Sequence, residues 1–298
     1  MLNSETPARP EPVEGRRTIA EALRDATARL ERTSDTARLD AELLMAEALG
    51  VTRSDLLLRH MRDPAPETFA PLLTRRERHE PVAYILGRQE FYGRDFVVGP
   101  GVLIPRADSE TIVAAALEAC PHPRRVLDCG VGSGALLLTV LAEGGGEGIG
   151  IDRSPEALRI AAENAAVLVL KPAVRLLLAD WHHPGWADDL GKFDLILANP
   201  PYVEDGAELA PSVREWEPAG ALFAGPDGLD DYRILIPQLP ALLEPGGVAV
   251  LEIGASQADA VAELAACNGF AVALQKDLAG RPRALVLRLG LGKAAGSS

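Results

Sequence analysis

The feature that most constrains the fold of this chain is a glycine-rich turn that joins an apolar strand to an apolar helix. Residues 125–129 predict a buried strand, residues 130–134 read Gly-Val-Gly-Ser-Gly, and residues 135–141 predict a helix. Glycine allows positive φ and a close approach of the backbone to a ligand, and the N–H groups that open a helix have no partner within it. The pattern is typical of a nucleotide-binding turn.

Two further strand ends carry side chains suited to a nucleoside. Residues 148–151 predict a strand that ends in Asp152, about 20 residues after the glycines, where an acid accepts hydrogen bonds from ribose hydroxyls. The apolar run 176–179 precedes Asp180 and Trp181, which suit an adenine amino group and ring face. From residue 106 onward, this alternation predicts a doubly wound α/β domain with ligands at the carboxyl ends of parallel strands. Its last two strands, residues 271–274 and 284–289, are predicted to pair as a terminal hairpin.

The four residues Asn199-Pro200-Pro201-Tyr202 follow another apolar strand, residues 193–198. Proline fixes φ and has no N–H, so the backbone at this strand end is stiff. The Asn199 side-chain oxygen and the Pro200 carbonyl offer two acceptors for the two hydrogens of one amino or amide nitrogen. Tyr202 adds an aromatic face. The motif predicts a site that holds a planar NH2 group.

Two other interpretations compete with this one. The glycines with a following acid also fit the dinucleotide fingerprint of a dehydrogenase. The motif that begins at Asn199 has no role in hydride transfer, which weighs against a dehydrogenase. A binding scaffold without turnover is the second alternative, and the joint presence of Asp128, the glycines, Asp152 and Asn199 weighs against it.

Together with their order along the chain, these motifs resemble the S-adenosylmethionine-dependent protein-(glutamine-N5) methyltransferases of the HemK/PrmC type. The chain departs from the family pattern at Cys129, at Val131 and at residues 107–110, which read Ala-Asp-Ser-Glu. The resemblance covers nearly the whole chain. It is carried by residues 81–87, 91–93, 102–106, the glycine turn, 199–202, 217–218, 227–229, 251–254 and 277–283.

The resemblance implies a class I S-adenosylmethionine-dependent methyltransferase, with a Rossmann-like doubly wound sheet and a small N-terminal helical bundle. It implies S-adenosylmethionine as cofactor, S-adenosylhomocysteine as product, and as substrate the glutamine of a Gly-Gly-Gln loop in class I peptide chain release factors. The predicted cofactor-binding residues are Asp128, Gly130, Val131, Gly132, Ser133, Gly134, Asp152, Asp180, Trp181 and Asn199. The predicted catalytic residues are Asn199, Pro200 and Tyr202, and the predicted substrate-binding residues are Asn199, Pro200, Pro201 and Tyr202.

The exocyclic amine of adenine is also a trigonal nitrogen with two hydrogens, so an adenine-N6 methyltransferase of DNA or RNA stays an alternative, as does methylation of a glutamine in ribosomal protein L3. A net charge of -13 and a pI of about 4.9 disfavour a nucleic-acid substrate, because phosphates require Lys and Arg. The basic cluster 75–79 is flanked by acids, and we interpret it as a solvated helix face. An acidic enzyme suits a basic protein partner, so we expect no stable nucleic acid.

Three residues outside the main motifs need an interpretation. Glu252 is an acid within an apolar strand, and a buried acid requires a partner. We favour a purely structural hydrogen bond for it, and support of the loop that begins at Asn199 is the alternative. Phe91 and Arg106 are candidates for the edge of the cofactor site.

The scattered cysteines and the lack of a long apolar run indicate the cellular location of the chain. Cys120, Cys129 and Cys267 make neither a disulfide framework nor a zinc site, and the adjacent histidines 182–183 lack a ligand set. We predict no metal, no membrane span, a cytoplasmic location and a monomer.

The N-terminal part differs in character from the rest. Ile19, Leu23, Ala26 and Leu30 recur at helical spacing, and the residues around Gly93 predict a hairpin. The predicted organisation is a disordered segment at 1–17, a helical substrate-recognition domain at 18–80, a linker with a β-hairpin at 81–105, a catalytic domain at 106–291 and a flexible tail at 292–298.

Overall fold

The computed structural model describes residues 17–170 and 173–290, and the chain forms two compact units, Met1–Leu86 and Gly87–Ser298. The segments predicted to be disordered or flexible, 1–17 and 292–298, lie outside the described residues except for Arg17. Among the described helices, none is both long enough and apolar enough to cross a bilayer.

The N-terminal unit is helical around a small apolar core. The first helix begins with a capping box, in which Thr18 and Glu21 satisfy each other's backbone N–H groups. The apolar residues at helical spacing that begin with Ile19 are fully buried, so that prediction is confirmed. The helices are α1 (Ile19–Leu30), α2 (Ala37–Leu49), α3 (Arg53–Asp55, continued by a π-helical turn at Leu56–His60), α4 (Phe69–Glu77) and α5 (Val82–Leu86).

A buried ion pair joins α2 to α4. Arg76 Nε lies 2.7 Å from Asp40 Oδ2, and both residues are buried. Ser34 and Thr36 donate hydrogen bonds to the same carboxylate. The interpretation of the cluster 75–79 as a solvated face is therefore wrong for Arg76, because its charge points into the bundle and is neutralised there.

The second unit begins with the predicted hairpin, formed by β1 (Arg88–Phe91) and β2 (Arg94–Val97), and its presence is confirmed. Phe91 and Phe96 are both buried and meet edge to face, with ring centroids 6.1 Å apart. Their rings join the apolar core on one side of the main sheet, so the hairpin packs as part of this unit.

A seven-stranded sheet forms the centre of the second unit in the described part of the chain, with strand order β5-β4-β3-β6-β7-β9-β8. The first five strands in this order pair in parallel, and the last three pair antiparallel as the predicted terminal hairpin against β7. The strands are β3 (Arg125–Cys129), β4 (Glu147–Asp152), β5 (Val174–Leu178), β6 (Phe193–Ala198), β7 (Leu243–Glu252), β8 (Phe270–Lys276) and β9 (Pro282–Leu289).

Helices cover both faces of this sheet, as the doubly wound prediction requires. Successive residues of a strand point to opposite faces, so Val126 packs in one core and Leu127 in the other. The helices are α6 (Glu110–Ala119), α7 (Ala135–Gly144), α8 (Pro155–Val167), α9 (Pro211–Arg214), α10 (Asp230–Leu235), α11 (Leu239–Leu242) and α12 (Ala258–Cys267).

The parallel register places three strand ends at the same level. Cys129 pairs with Ile151 of β4 and with Ala198 of β6. The order of the strands reverses between β3 and β6, and ligands of open α/β sheets bind at such a switch point. The glycine turn, Asp152 and Asn199 all follow these paired residues.

The ion pair between Arg76 and Asp40 yields a stability prediction. We expect Arg76→Ala to lower the free energy of unfolding by about 3–5 kcal/mol, because it leaves a buried carboxylate without its cation. The matched control is Arg29→Ala on α1, which breaks a half-exposed pair with Glu77 of α4 and should cost less than about 1 kcal/mol. Urea denaturation of both variants measures the difference, and equal losses would contradict the prediction.

Candidate active site

The glycine turn after β3 has the backbone conformation that its sequence implies. Gly130, Gly132 and Gly134 have φ values of 81°, 53° and 84°, in the left-handed region that favours glycine. A Cβ atom at Gly130 would lie 3.3 Å from the ring of Trp181, a closer contact than side chains normally make. The turn and the aromatic ring are thus packed directly against each other.

Asp152 ties the end of β4 to this turn. Its Oδ2 accepts a hydrogen bond from Gly132 N at 3.0 Å, and its Oδ1 accepts one from Ser154 N at 2.8 Å. Burial raises the pKa of Asp152, although these backbone donors act in the opposite direction. Each oxygen retains a second lone pair, so the carboxylate is held in place and still accepts from a ligand.

Asp128 is the most deeply buried acid of the site, at 1% exposure. Its Oδ1 has no hydrogen-bond partner among the described residues. Burial, aided by the nearby charge of Asp152, raises the pKa of Asp128 to about 7. A buried carboxyl oxygen without a donor costs free energy, and a ligand donor in the adjoining cavity would satisfy it.

Asp180 and Trp181 follow β5 and form a polar and an aromatic edge. The Trp181 indole N–H donates to Asp231 Oδ1 at 3.1 Å, and the ring stacks on His182 with centroids 5.8 Å apart. Although burial acts to raise it, hydrogen bonds from His182 hold the pKa of Asp180 below its usual value. Asp180 therefore presents an ionised acceptor beside the ring.

The motif at the end of β6 lies between two neighbouring cavities. Asn199 and Pro201 line the first cavity, and Tyr202 lines the second. The Tyr202 N–H donates to Leu222 O at 3.1 Å, and its carbonyl accepts from Gln257 Nε2 at 3.0 Å. The main chain of the motif is therefore fixed at its tyrosine end.

The first cavity has a volume of about 230 Å³ and the second about 530 Å³. Gly134 and Pro200 are not among the residues that line either of them in the described part of the chain. Gly134 instead is the N-cap of α7, where a Cβ would lie 2.9 Å from Leu138 Cδ1. The predicted site residues on the wall of the first cavity are Asp128, Gly130, Val131, Gly132, Ser133, Asp152, Asp180, Trp181, Asn199 and Pro201.

Two segments close the first cavity that the sequence analysis did not assign to the site, apart from Arg106. Residues 101–106 form one wall, and residues near Pro218 form another. Glu217, which is buried, joins them: it pairs with Arg106 and accepts a hydrogen bond from Ile104 N at 3.0 Å. The candidates Phe91 and Arg106 both line this cavity.

For Glu252, the structure favours the second of the two interpretations made from the sequence. The Tyr202 hydroxyl donates to Glu252 Oε1 at 3.2 Å, so this acid does support the loop that begins at Asn199.

Arg153 is a residue that the sequence analysis missed. It lines the first cavity and donates to Gly220 O, and its position directly after Asp152 was the only available signal.

No group of three or more His, Cys, Asp or Glu side chains that could hold a metal ion occurs within residues 17–170 and 173–290. The adjacent histidines instead face acids. His182 Nδ1 lies 2.7 Å from Asp180 Oδ1, and its Nε2 lies 3.5 Å from Asp231 Oδ1.

Comparison with known proteins gives consistent matches. Residues 21–87 match the family model for the PrmC N-terminal domain, and residues 123–268 match that for a methyltransferase domain. A release factor glutamine methyltransferase from Cereibacter sphaeroides is 44% identical over 279 residues, which cover 91% of this chain and 98% of that protein. One from Rhodospirillum rubrum is 43% identical over 261 residues, covering 84% of this chain and 78% of that protein.

A crystal structure of a methyltransferase from Pyrococcus furiosus shares the fold, with a TM-score of 0.51 and 18% identity over 67% of this chain and 91% of that one. The predicted architecture, a Rossmann-like methyltransferase sheet preceded by a helical region, is confirmed.

The raised pKa of Asp128 predicts a pH-dependent stability. Between about pH 4 and pH 7 the folded state holds a proton that the unfolded state has lost, so the free energy of unfolding falls as pH rises. We expect the free energy of unfolding of Asp128→Asn to rise relative to that of the wild type by about 1.4 kcal/mol per pH unit in this window. Above about pH 7 the difference between the two proteins should stay constant. Denaturation of the ligand-free proteins at several pH values measures the difference.

Asp194→Asn is the control for Asp128→Asn. Hydrogen bonding to Arg124 holds the pKa of Asp194 below its usual value, so both folded and unfolded states are ionised above about pH 5. The stability difference between Asp194→Asn and the wild type should then be constant from pH 5 to pH 8. The same constancy for Asp128→Asn would contradict the prediction.

Proposed function

This chain belongs to the release factor glutamine methyltransferase family, and on this premise we propose its reaction. It transfers a methyl group from S-adenosylmethionine to a glutamine in class I peptide chain release factors. The methyl acceptor is the side-chain amide nitrogen, N5. The observation that carries this proposal is that Asn199 lines the same cavity as the glycine turn. A site for a planar NH2 group and a site for a nucleoside thus share one space.

The residues of the first cavity fit S-adenosylmethionine. Asp128 offers an acceptor that has no partner in the described structure, Asp152 offers two oriented carboxylate oxygens, and Trp181 offers an aromatic face next to Gly130. Acceptors suit the hydroxyl and ammonium groups of this molecule, and the ring suits its adenine. When bound, S-adenosylmethionine supplies an electrophilic methyl group on a sulfonium.

The chemical difficulty lies in the nucleophile. The lone pair of an amide nitrogen is delocalised, and the rotation barrier of about 18–20 kcal/mol in a peptide bond shows how strongly. In our proposal, Asn199 Oδ1 accepts one amide hydrogen, and the other goes to the carbonyl of Pro200, which lies between the two wall residues Asn199 and Pro201. Both hydrogen bonds raise the electron density on nitrogen and aim its lone pair. Tyr202 packs on the amide plane. The nitrogen becomes acidic as the new bond forms, so its proton leaves to water or a nearby acceptor.

Positioning supplies most of the rate in this mechanism. Effective molarities of about 10⁵–10⁸ M are reached when two reacting groups are held in alignment, and the fixed main chain at Tyr202 serves that purpose. The same two acceptors reject glutamate, because a carboxylate has no hydrogens to donate. Sites that are built to bind an NH group discriminate by about 10⁴ or more against analogues that lack it.

We assign recognition of the protein substrate to the N-terminal helical unit, within the predicted division into 18–80, 81–105 and 106–291. The match to the PrmC N-terminal domain over residues 21–87 supports a dedicated unit there. The net charge of -13 supports a basic protein partner. The relatives named for release factor methylation make adenine-N6 methylation the less favoured reaction.

Transfer of labelled methyl from S-adenosylmethionine tests the substrate. We expect label on a class I release factor and none on its Gly-Gly-Glu variant, because the variant lacks the amide hydrogens that the site accepts. Ribosomal protein L3 and adenine-containing DNA are assayed side by side. Label on DNA alone would overturn the proposed substrate, and label on L3 alone would move it to another protein.

Substitution of Asn199 tests the site. We expect Asn199→Ala to lower kcat by about 10²–10³, the range seen when one oriented polar group is removed from a transition-state site. Affinity for S-adenosylmethionine, measured by calorimetry, should change less than about tenfold, because the glycine turn and both aspartates remain. Unchanged methyl transfer by this variant would contradict the role of Asn199.

A further inference from the structure

Glu252 lies at the end of β7 and is 2% exposed. Its two carboxylate oxygens serve two different parts of the unit. Oε1 accepts from the Tyr202 hydroxyl at 3.2 Å, and Oε2 accepts from Ser109 Oγ at 2.6 Å. The carboxylate thus connects the motif after β6 to the residue that precedes α6.

The strand register puts this acid beside the reacting motif. Ala198 of β6 pairs with Leu251 of β7, so Asn199 and Glu252 each follow a paired residue. The rest of β7 near this point is apolar and buried, as Val250 and Leu251 show. Burial raises the pKa of Glu252, which the positive charge of Arg283 partly offsets. An apolar side chain here would avoid that cost, so stability alone does not account for a carboxylate at this position.

Tyr202 has its main chain fixed on both sides of its Cα. Beyond the hydrogen bonds with Leu222 and Gln257, Gly228 approaches so closely that a Cβ there would lie 2.3 Å from Tyr202 O. The phenol end of the ring needs a separate anchor. Burial and the nearby charge of Glu252 raise the pKa of Tyr202, so its hydroxyl is protonated at neutral pH and donates to the carboxylate.

We propose that Glu252 is a positioning residue for methyl transfer, which holds the Tyr202 ring in the orientation that packs on the substrate amide while Ser109 fixes the carboxylate itself. This inference rests on the proposed function. Glutamate is suited to the task because each carboxylate oxygen accepts from one hydroxyl. Glutamine has an acceptor oxygen at only one of the two positions, so in Glu252→Gln one of the two hydroxyls faces an NH2 group, which cannot accept its hydrogen.

A double-mutant cycle tests the inference. We expect Glu252→Gln and Tyr202→Phe each to lower kcat about tenfold, the effect of losing one hydrogen bond to a charged group. KM for S-adenosylmethionine should stay within about twofold in both, because neither residue lines the first cavity. The double variant should be no slower than Tyr202→Phe alone, since the carboxylate acts through the phenol.

The matched control is Tyr232→Phe. The Tyr232 hydroxyl also donates to residue 252, but to its backbone carbonyl, at 2.7 Å. This variant should lose stability in denaturation while kcat per folded enzyme is unchanged. A purely structural role of Glu252 would make the two tyrosine variants behave alike, and that result would overturn the inference.

The outcomes separate the inference from the proposed function. Absence of glutamine methylation by the wild type would remove the proposed function itself. Wild-type transfer together with losses that multiply in the double variant would remove only the inference. Tyr202→Phe removes the hydroxyl that donates to Glu252 and so breaks the same hydrogen bond. Full activity of Tyr202→Phe would overturn the inference even if Glu252→Gln did not fold.

Discussion

The parallel pairing of β3 with β4 and β6 is the constraint on which the rest of the site depends. It aligns Cys129 with Ile151 and Ala198, so that the segments after these residues emerge at one edge of the sheet. Parallel strands need a crossover between them, and the three segments are therefore distant in sequence and adjacent in space. The Asp152 carboxylate completes the arrangement by accepting from Gly132 N at the neighbouring strand end. A change of register in any of these strands would separate the acceptors from the glycine turn.

The buried acids at this edge of the sheet differ in how many of their oxygens accept hydrogen bonds from the protein. Burial raises the pKa of Asp128, Asp152 and Glu252, so each costs free energy when ionised. Asp152 and Glu252 have donors from the protein on both oxygens and hold other groups in place. Asp128 has one oxygen at the cavity wall for which the described part of the chain supplies no donor. The acid that is least satisfied by the protein is thus the one best able to respond to a ligand.

Much of this architecture could be predicted from the sequence, and the failures have a common cause. The hairpin around Gly93, the terminal antiparallel pair and the alternating strands and helices follow from patterns within a few residues. The charged sequence neighbours of Arg76 predict a solvated cluster, yet its partner Asp40 lies on another helix. Glu252 is 50 residues from Tyr202 and 143 from Ser109. The contacts of Arg76 with Asp40 and of Glu252 with Tyr202 and Ser109 cannot be predicted from the residues next to them in the sequence.

By itself, the sequence determined the features that a short segment decides alone. The φ values of the glycine turn and the stiffness of the two prolines are properties of the residues themselves, because Gly and Pro restrict or release the backbone directly. The tertiary structure decided which side chains meet: Glu252 with Tyr202, Arg106 with Glu217, and residues 101–106 as a cavity wall. Such contacts depend on strand register and depth of burial, which arise only when distant segments pack together, and no single segment encodes them.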